Sequence, residues 1–154
     1  MPHRKIDLLL EEYGESHQNK TNKKIHWVCV PVIVWCVLAL ISEIPFPVSI
    51  YGINWLSIIL ILVIAYYFFL SKSLTIGFIL ISALSYWSIS VYNNNFSLPL
   101  WLFALGLFVL AWIGQFWGHK IEGKKPSFFK DIQFLMIGPA WLLSFIYKRL
   151  GINY

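Results

Sequence analysis

Apolar and polar positions are distributed along this chain in two different ways. In residues 1–24 the apolar positions are sparse and periodic. Ile6, Leu9, Leu10 and Tyr13 fall at i, i+3, i+4 and i+7, the stripe of an amphipathic helix. His17, eleven residues beyond Ile6, returns to that stripe at about 100° per residue. Asp7, Glu11 and Glu15 follow an i+4 row on another face. The pattern predicts a helix and turn that pack on the membrane surface or on the rest of the protein, with His17 pointing inward.

From Trp27 onward the apolar positions run together instead. Four long segments follow: Trp27–Ile41, Asn54–Leu70, Leu74–Tyr92 and Leu98–Trp117. They are separated by Ser42-Glu43 with Pro45 and Pro47, by Ser71-Lys72-Ser73, and by the Asn93-Asn94-Asn95 turn. No Asp, Glu, Lys or Arg occurs between Ser73 and His119. A spanning helix needs about 20 apolar residues. The third and fourth segments meet this directly, and the first two meet it with their uncharged flanks. A fifth segment, Ile132–Tyr147, has 16 residues and contains Gly138-Pro139, which interrupts a helix. It predicts a re-entrant or interfacial element, with a fifth crossing as the alternative. The expected architecture is all-α: a multi-pass membrane bundle of four spans plus this short segment. The whole chain, 1–154, reads as one membrane-embedded domain, with the spans in 25–118 and a loop and C-terminal segment in 119–154.

Composition agrees with that pattern. Of 154 residues, 58% are hydrophobic and only 12% charged, against about 25% charged in an ordinary soluble domain. This argues against a soluble globular protein, a disordered tail and a secreted disulfide scaffold. Met1–Tyr13 holds only a three-Leu run, so no signal peptide is expected. Cys29 and Cys36 are seven residues apart in one helical run, roughly 10 Å and too far to bridge.

The net charge is +5. Nucleic acid is not the partner it implies, because the basic residues flank the apolar runs. With four spans and a cytoplasmic N terminus, ten basic residues from Arg4 to Lys130 fall on the inner side and none on the outer, as the positive-inside rule requires. Lys148 and Arg149 join them if the fifth segment does not cross. Trp27 and Trp117 would mark one interface, Trp55 and Trp101 the other. The protein is expected in a bacterial inner membrane or endoplasmic reticulum, with its N terminus and histidines facing the cytoplasm.

This topology also locates the chemistry. An even number of crossings returns the chain to the face it left. His17 and His26, before the first span, and His119, after the fourth, then share one membrane edge. His3 is at the terminus and has no assigned role. His17 and His26 are nine residues apart, so on one helix they would face opposite ways. They converge only if the chain bends, and Gln18–Asn22 is suited to bending, with Asn22 as a reasonable N-cap. Glu122 shares a helix face with His119, as does Gln115. Each histidine alone has a plain reading as a helix cap or headgroup contact. Three imidazoles and a carboxylate at one edge are also the ligand types of an Fe(II) oxygen site or of Zn, and from these residues alone both readings stand. The HxxxH and HxxHH clusters of di-iron membrane desaturases are absent. A transporter would carry ionisable groups at mid-membrane, which this chain lacks.

Two stretches carry a resemblance: Tyr13-Gly14-Glu15-Ser16-His17 with Asn22-Lys23-Lys24-Ile25-His26 and Pro31, and Gln115-Phe116-Trp117-Gly118-His119-Lys120-Ile121-Glu122-Gly123-Lys124-Lys125-Pro126. Together they resemble the membrane 2-hydroxy fatty acid α-dioxygenases, the fungal phytosphingosine-degradation oxygenase and its bacterial relatives, over nearly the whole chain. Ser127 departs from the family pattern, which favours Ala there. The resemblance implies an Fe(2+)-dependent enzyme that shortens a long-chain 2-hydroxy fatty acid by one carbon using O2. His17, His26 and His119 would be its functional histidines and metal ligands. Glu122 and Asn22 are carried as motif positions, Glu122 as a further ligand or as the orienter of an imidazole. Tyr13, Gln18, Asn22 and Gln115 are expected around the ligands, and the acyl tail between the spans. Two other readings stand beside this one: a non-catalytic membrane scaffold or lipid-binding protein, and a Zn-dependent membrane hydrolase.

Overall fold

The computed structural model describes residues 4–47, 53–123 and 128–154, with backbone alone for 128–134. His3 and the Lys124–Ser127 stretch, with its lysines and the departure at Ser127, lie outside the described residues. Among the described residues there are six helices and no strand. They are α1 (Lys5–Glu15), α2 (Lys20–Ser42), α3 (Trp55–Leu70), α4 (Lys72–Asn95), α5 (Leu100–Glu122) and α6 (Phe128–Arg149).

Three helices, α2, α4 and α5, are long and apolar enough to cross a membrane. The fourth apolar helix, α3, has 16 residues, about 24 Å of rise against a hydrocarbon core near 30 Å. Its limits are set locally. Asn54 and Ser57 form a reciprocal capping box at its start. At its end Ser71 adopts extended backbone and caps α4 through Leu74 N–H.

Several boundaries differ from the sequence expectation, each for a local reason. The first long apolar helix, α2, begins at Lys20, not residue 25, and its N-cap is Asn19 rather than Asn22. Asn19 has extended backbone, and its Oδ1 accepts from Thr21 N–H at 2.8 Å and Asn22 N–H at 3.3 Å. The Asn93–Asn95 triplet is the last turn of α4, not a turn between helices, with Asn95 Nδ2 donating to the Val91 carbonyl. His119 lies inside α5, not in a loop, and the helix stops at Gly123, whose φ of 73° favours glycine. Gly138-Pro139 does not interrupt α6, which is continuous over 22 residues. Pro139 removes one backbone donor. The carbonyl that loses its partner is that of residue 135, and the Tyr67 hydroxyl donates from α3 to the next one, the Met136 carbonyl.

The helices pack around two apolar clusters at opposite ends of the bundle. One joins Ile6, Leu10 and Tyr13 of α1 to Tyr67, Phe78 and Trp141. The other joins Cys36 and Ala39 of α2 to Leu56, Leu60, Tyr92 and Leu100. The closest helix pair is α2 with α5, which run antiparallel. A Cβ at Gly114 would lie 2.7 Å from Cys29 Sγ, and one at Gly118 would overlap Asn22 Oδ1. This G-x-x-x-G pair is therefore what lets the two backbones approach. Outward positions stay apolar: Val28, Ile61, Phe69, Trp87 and Leu110 are exposed, as are Trp27, Trp55, Trp101 and Trp117. A surface of this kind suits lipid rather than water.

Candidate metal centre

The site is assembled from three elements that are distant in sequence. Burial of the Ile6, Leu10 and Tyr13 stripe docks α1 against α6. The chain then leaves the helix at Ser16, where His17 N–H donates to the Gly14 carbonyl at 3.0 Å. His17 is thus turned inward by a bend, not by continuation of the helix, and is buried. Its ring stacks on Tyr13 at 4.1 Å, with the planes 12° apart, and Trp141 lies 5.3 Å away. His26 sits in the second turn of α2, also buried. His119 approaches from the last turn of α5 and is half-buried.

The three rings meet edge to face. Centroid separations are 4.2 Å for His17–His26, 5.2 Å for His26–His119 and 5.7 Å for His17–His119. Each offers a ring nitrogen, and these nitrogens all lie within 4.8 Å of one another. Nitrogens sharing one ion are at most about 4 Å apart at ordinary metal–nitrogen lengths. The trio is within a small ring rotation of that spacing. Two of the rings are also oriented. Nδ1 of His17 pairs with the Tyr13 carbonyl at 2.6 Å, and Nδ1 of His26 with the Asn22 carbonyl at 3.0 Å. A carbonyl can only accept, so the proton belongs on Nδ1 and the lone pair on Nε2. Such second contacts are what metal-binding imidazoles ordinarily make.

The motif glutamate has a different place. Glu122 Oε1 accepts from Gln18 N–H at 2.8 Å, and Oε2 accepts from Asn19 N–H at 3.0 Å and from Asn22 Nδ2 at 2.9 Å. The carboxylate thus holds the α1–α2 bend and the start of α2, where orphan backbone donors favour an anion. Asn22 is the hub of this clamp. It is fully buried, with its side-chain amide on Glu122 and its carbonyl on His26. Gly118 gives it room, since a Cβ there would collide with Asn22 and come within 3.5 Å of His26 Cε1.

These contacts lie in a chain whose sequence matches one family model over residues 4–150, described as 2-hydroxy-palmitic acid dioxygenase Mpo1-like. The chain belongs to the Mpo1-like family. No curated protein and no solved structure matches it.

Sequence reasoning placed the Mpo1-like histidines together, and the structure brings them together. Of the surrounding candidates, Tyr13 backs His17, while Gln18 turns away, its Nε2 donating to the Gly14 carbonyl at 2.6 Å. Gln115 is buried. Asn19, a turn or cap type within the expected bend, takes the capping role expected of Asn22, and Trp141 was not among the candidates. Asn19 offered a signal, being as good a cap type as Asn22. Trp141 offered none, because nothing in its own segment pairs it with residue 17. An apolar groove of about 540 Å³ lies between α2, α4 and α6, and none of the three histidines lines it. Trp27, the neighbour of His26, lines it together with Pro31, Trp35, Leu84, Pro139 and Leu142.

Proposed function

We infer that the protein is an Fe(II)-dependent dioxygenase that shortens long-chain 2-hydroxy fatty acids by one carbon using O2. The observation that carries this is the meeting of His17, His26 and His119 within 4.8 Å in a chain of the Mpo1-like family. A three-imidazole set leaves positions open for substrate and oxygen, as oxygen-activating iron requires. When bound, the iron would supply the redox chemistry. The protein's part is to hold and orient. Tyr13 and Trp141 fix the His17 ring, the Asn22 carbonyl fixes His26, and Glu122 holds the bend that carries both. Glu122 acts as an organiser rather than a ligand, since its oxygens are committed to Gln18, Asn19 and Asn22. The groove beginning at Trp27 suits the alkyl chain, and its volume is that of an ordinary ligand pocket.

The same reading includes four crossings, with α3 as the short one, and a cytoplasmic His end. Its support is that the start of α2 and the end of α5 meet, so the chain between them returns to the end it left. Lys72, in the α3–α4 link, falls at that same end with the other basic residues.

The test is to purify the protein in detergent, measure its metal, and supply a 2-hydroxy fatty acid under O2. An acid one carbon shorter, formed with iron and not without it, supports the assignment. No shortened acid with Fe(II) present refutes it. Zinc in place of iron, with ester cleavage in the absence of O2, would point to a hydrolase. No bound transition metal would point to a scaffold.

A further inference from the structure

α5 carries no charge from Leu100 to Gly118, yet one of its faces is polar. Trp112, Gln115, His119 and Glu122 fall at i, i+3, i+7 and i+10, a single row along the helix. Two of them already have work: Glu122 clamps the bend and His119 completes the trio. Gln115 does not. It lies one turn deeper than His119 and is only 7% exposed, and its Oε1 has no hydrogen-bond partner.

A buried amide oxygen left alone is destabilising, and inside a membrane bundle water is scarce to relieve it. The position is not a loose one. Gly114 and Gly118 on either side draw α2 against the helix, at Cys29 and at Asn22. A leucine would fill such a place at no polar cost. Residues four apart on a helix have Cβ atoms about 6 Å apart, so Gln115 is the residue of that row one turn from His119.

The chemistry of the vacant acceptor selects its partner. An unpaired carbonyl oxygen needs a donor. An alkyl chain has none, and an ionised carboxylate has none. The hydroxyl on the carbon next to that carboxylate has one. We propose that Gln115 reads the 2-hydroxyl of the substrate, with Oε1 accepting its hydrogen, and so separates 2-hydroxy acids from unsubstituted fatty acids. This rests on the 2-hydroxy acid reading above. A site built to pair a hydroxyl disfavours the analogue that lacks it, because the protein group is then left alone.

The test uses the full chain in detergent with its metal bound. Affinities for 2-hydroxyhexadecanoic acid and hexadecanoic acid are measured on the wild type and on Gln115→Met, which removes the acceptor at similar volume. The expected result is a fall of about tenfold in the preference for the hydroxy acid, the worth of one hydrogen bond. The fall comes through weaker binding of that acid alone, with metal per chain unchanged. Gln115→Asn withdraws the amide by one methylene and should give a smaller fall, and it carries the test if the Met variant does not fold. An unchanged preference, or equal weakening for both acids, overturns the proposal and leaves Gln115 as a packing or water-binding residue. Failure of the parent reading looks different: the wild type itself then shows no preference and converts neither acid.

Discussion

The two ends of the bundle have similar apolar composition but are held together by different means. At the end built around Leu56 and Leu100, most polar side chains serve nearby backbone, and the bond that crosses between helices there is neutral, Trp35 Nε1 donating to Ser88 Oγ at 2.8 Å. Asn54 and Ser57 cap each other's turn, the Tyr92 hydroxyl donates to the Leu98 carbonyl, and Trp55 Nε1 donates to the Pro45 carbonyl. At the histidine end, the bonds of Glu122 reach back 100 to 104 residues, to Gln18, Asn19 and Asn22. The first end is a packing problem that aliphatic side chains solve. The second keeps two imidazoles and the Asn22 amide fully or nearly buried, which costs stability and needs another justification. The long-range polar order of the histidine end is therefore what supports placing the proposed chemistry there.

That contrast can be broken in graded ways. The largest effect is expected from His26→Ala: loss of bound iron and of α-oxidation to background, read by metal analysis and product assay, with the bundle still folded. Retention of full metal and activity would mean the trio is not the ligand set. Next is Leu56→Ala at the other end. It should cost about 2–5 kcal/mol of stability while the folded fraction keeps its metal, as chemical unfolding with parallel metal analysis would show. If metal affinity fell as well, the two ends would not be separable.

Glu122→Gln tests the clamp. It keeps the shape but removes the charge and one acceptor, and should weaken metal binding about 10–100-fold, as changes behind metal ligands do. An unchanged titration would show that the bend holds itself. Gly118→Ala should cost about 1–3 kcal/mol by overpacking, because its Cβ meets Asn22 and His26. Gly106→Ala, with nothing within 4 Å, should stay within about 0.5 kcal/mol. Thermal unfolding of the two alanine variants side by side decides whether the close approach of α2 and α5 matters where the histidines are.

Much of this difference between ends was readable from residue order. The α1 stripe and the uncharged run from Ser73 to His119 each report a local period or a solvent preference, and both survive in the structure. The meeting of His17, His26 and His119 followed from counting crossings. What was not legible depends on partners outside the segment. Asn19 and Asn22 are equivalent cap types, and only the Glu122 carboxylate, a hundred residues on, favours an early start for α2. Pro139 reads as an interruption, yet α6 runs through it, packed against α1, α2 and α4. Glu122 reads equally as a ligand or as the orienter of an imidazole because it shares a face with His119, yet the donors that occupy it lie on the bend.

The order in which the three imidazoles appear along the chain also bears on biogenesis. His17 and His26 are made before any spanning helix is complete, whereas His119 closes the last turn of α5. A nascent chain paused anywhere earlier offers two nitrogen donors and no Glu122 to hold the bend. On the proposed reading, the ion's cage would form only once α5 is seated against α2. Metal capture would then double as a report that insertion is finished, and a half-inserted intermediate would not carry a reactive iron into the lipid.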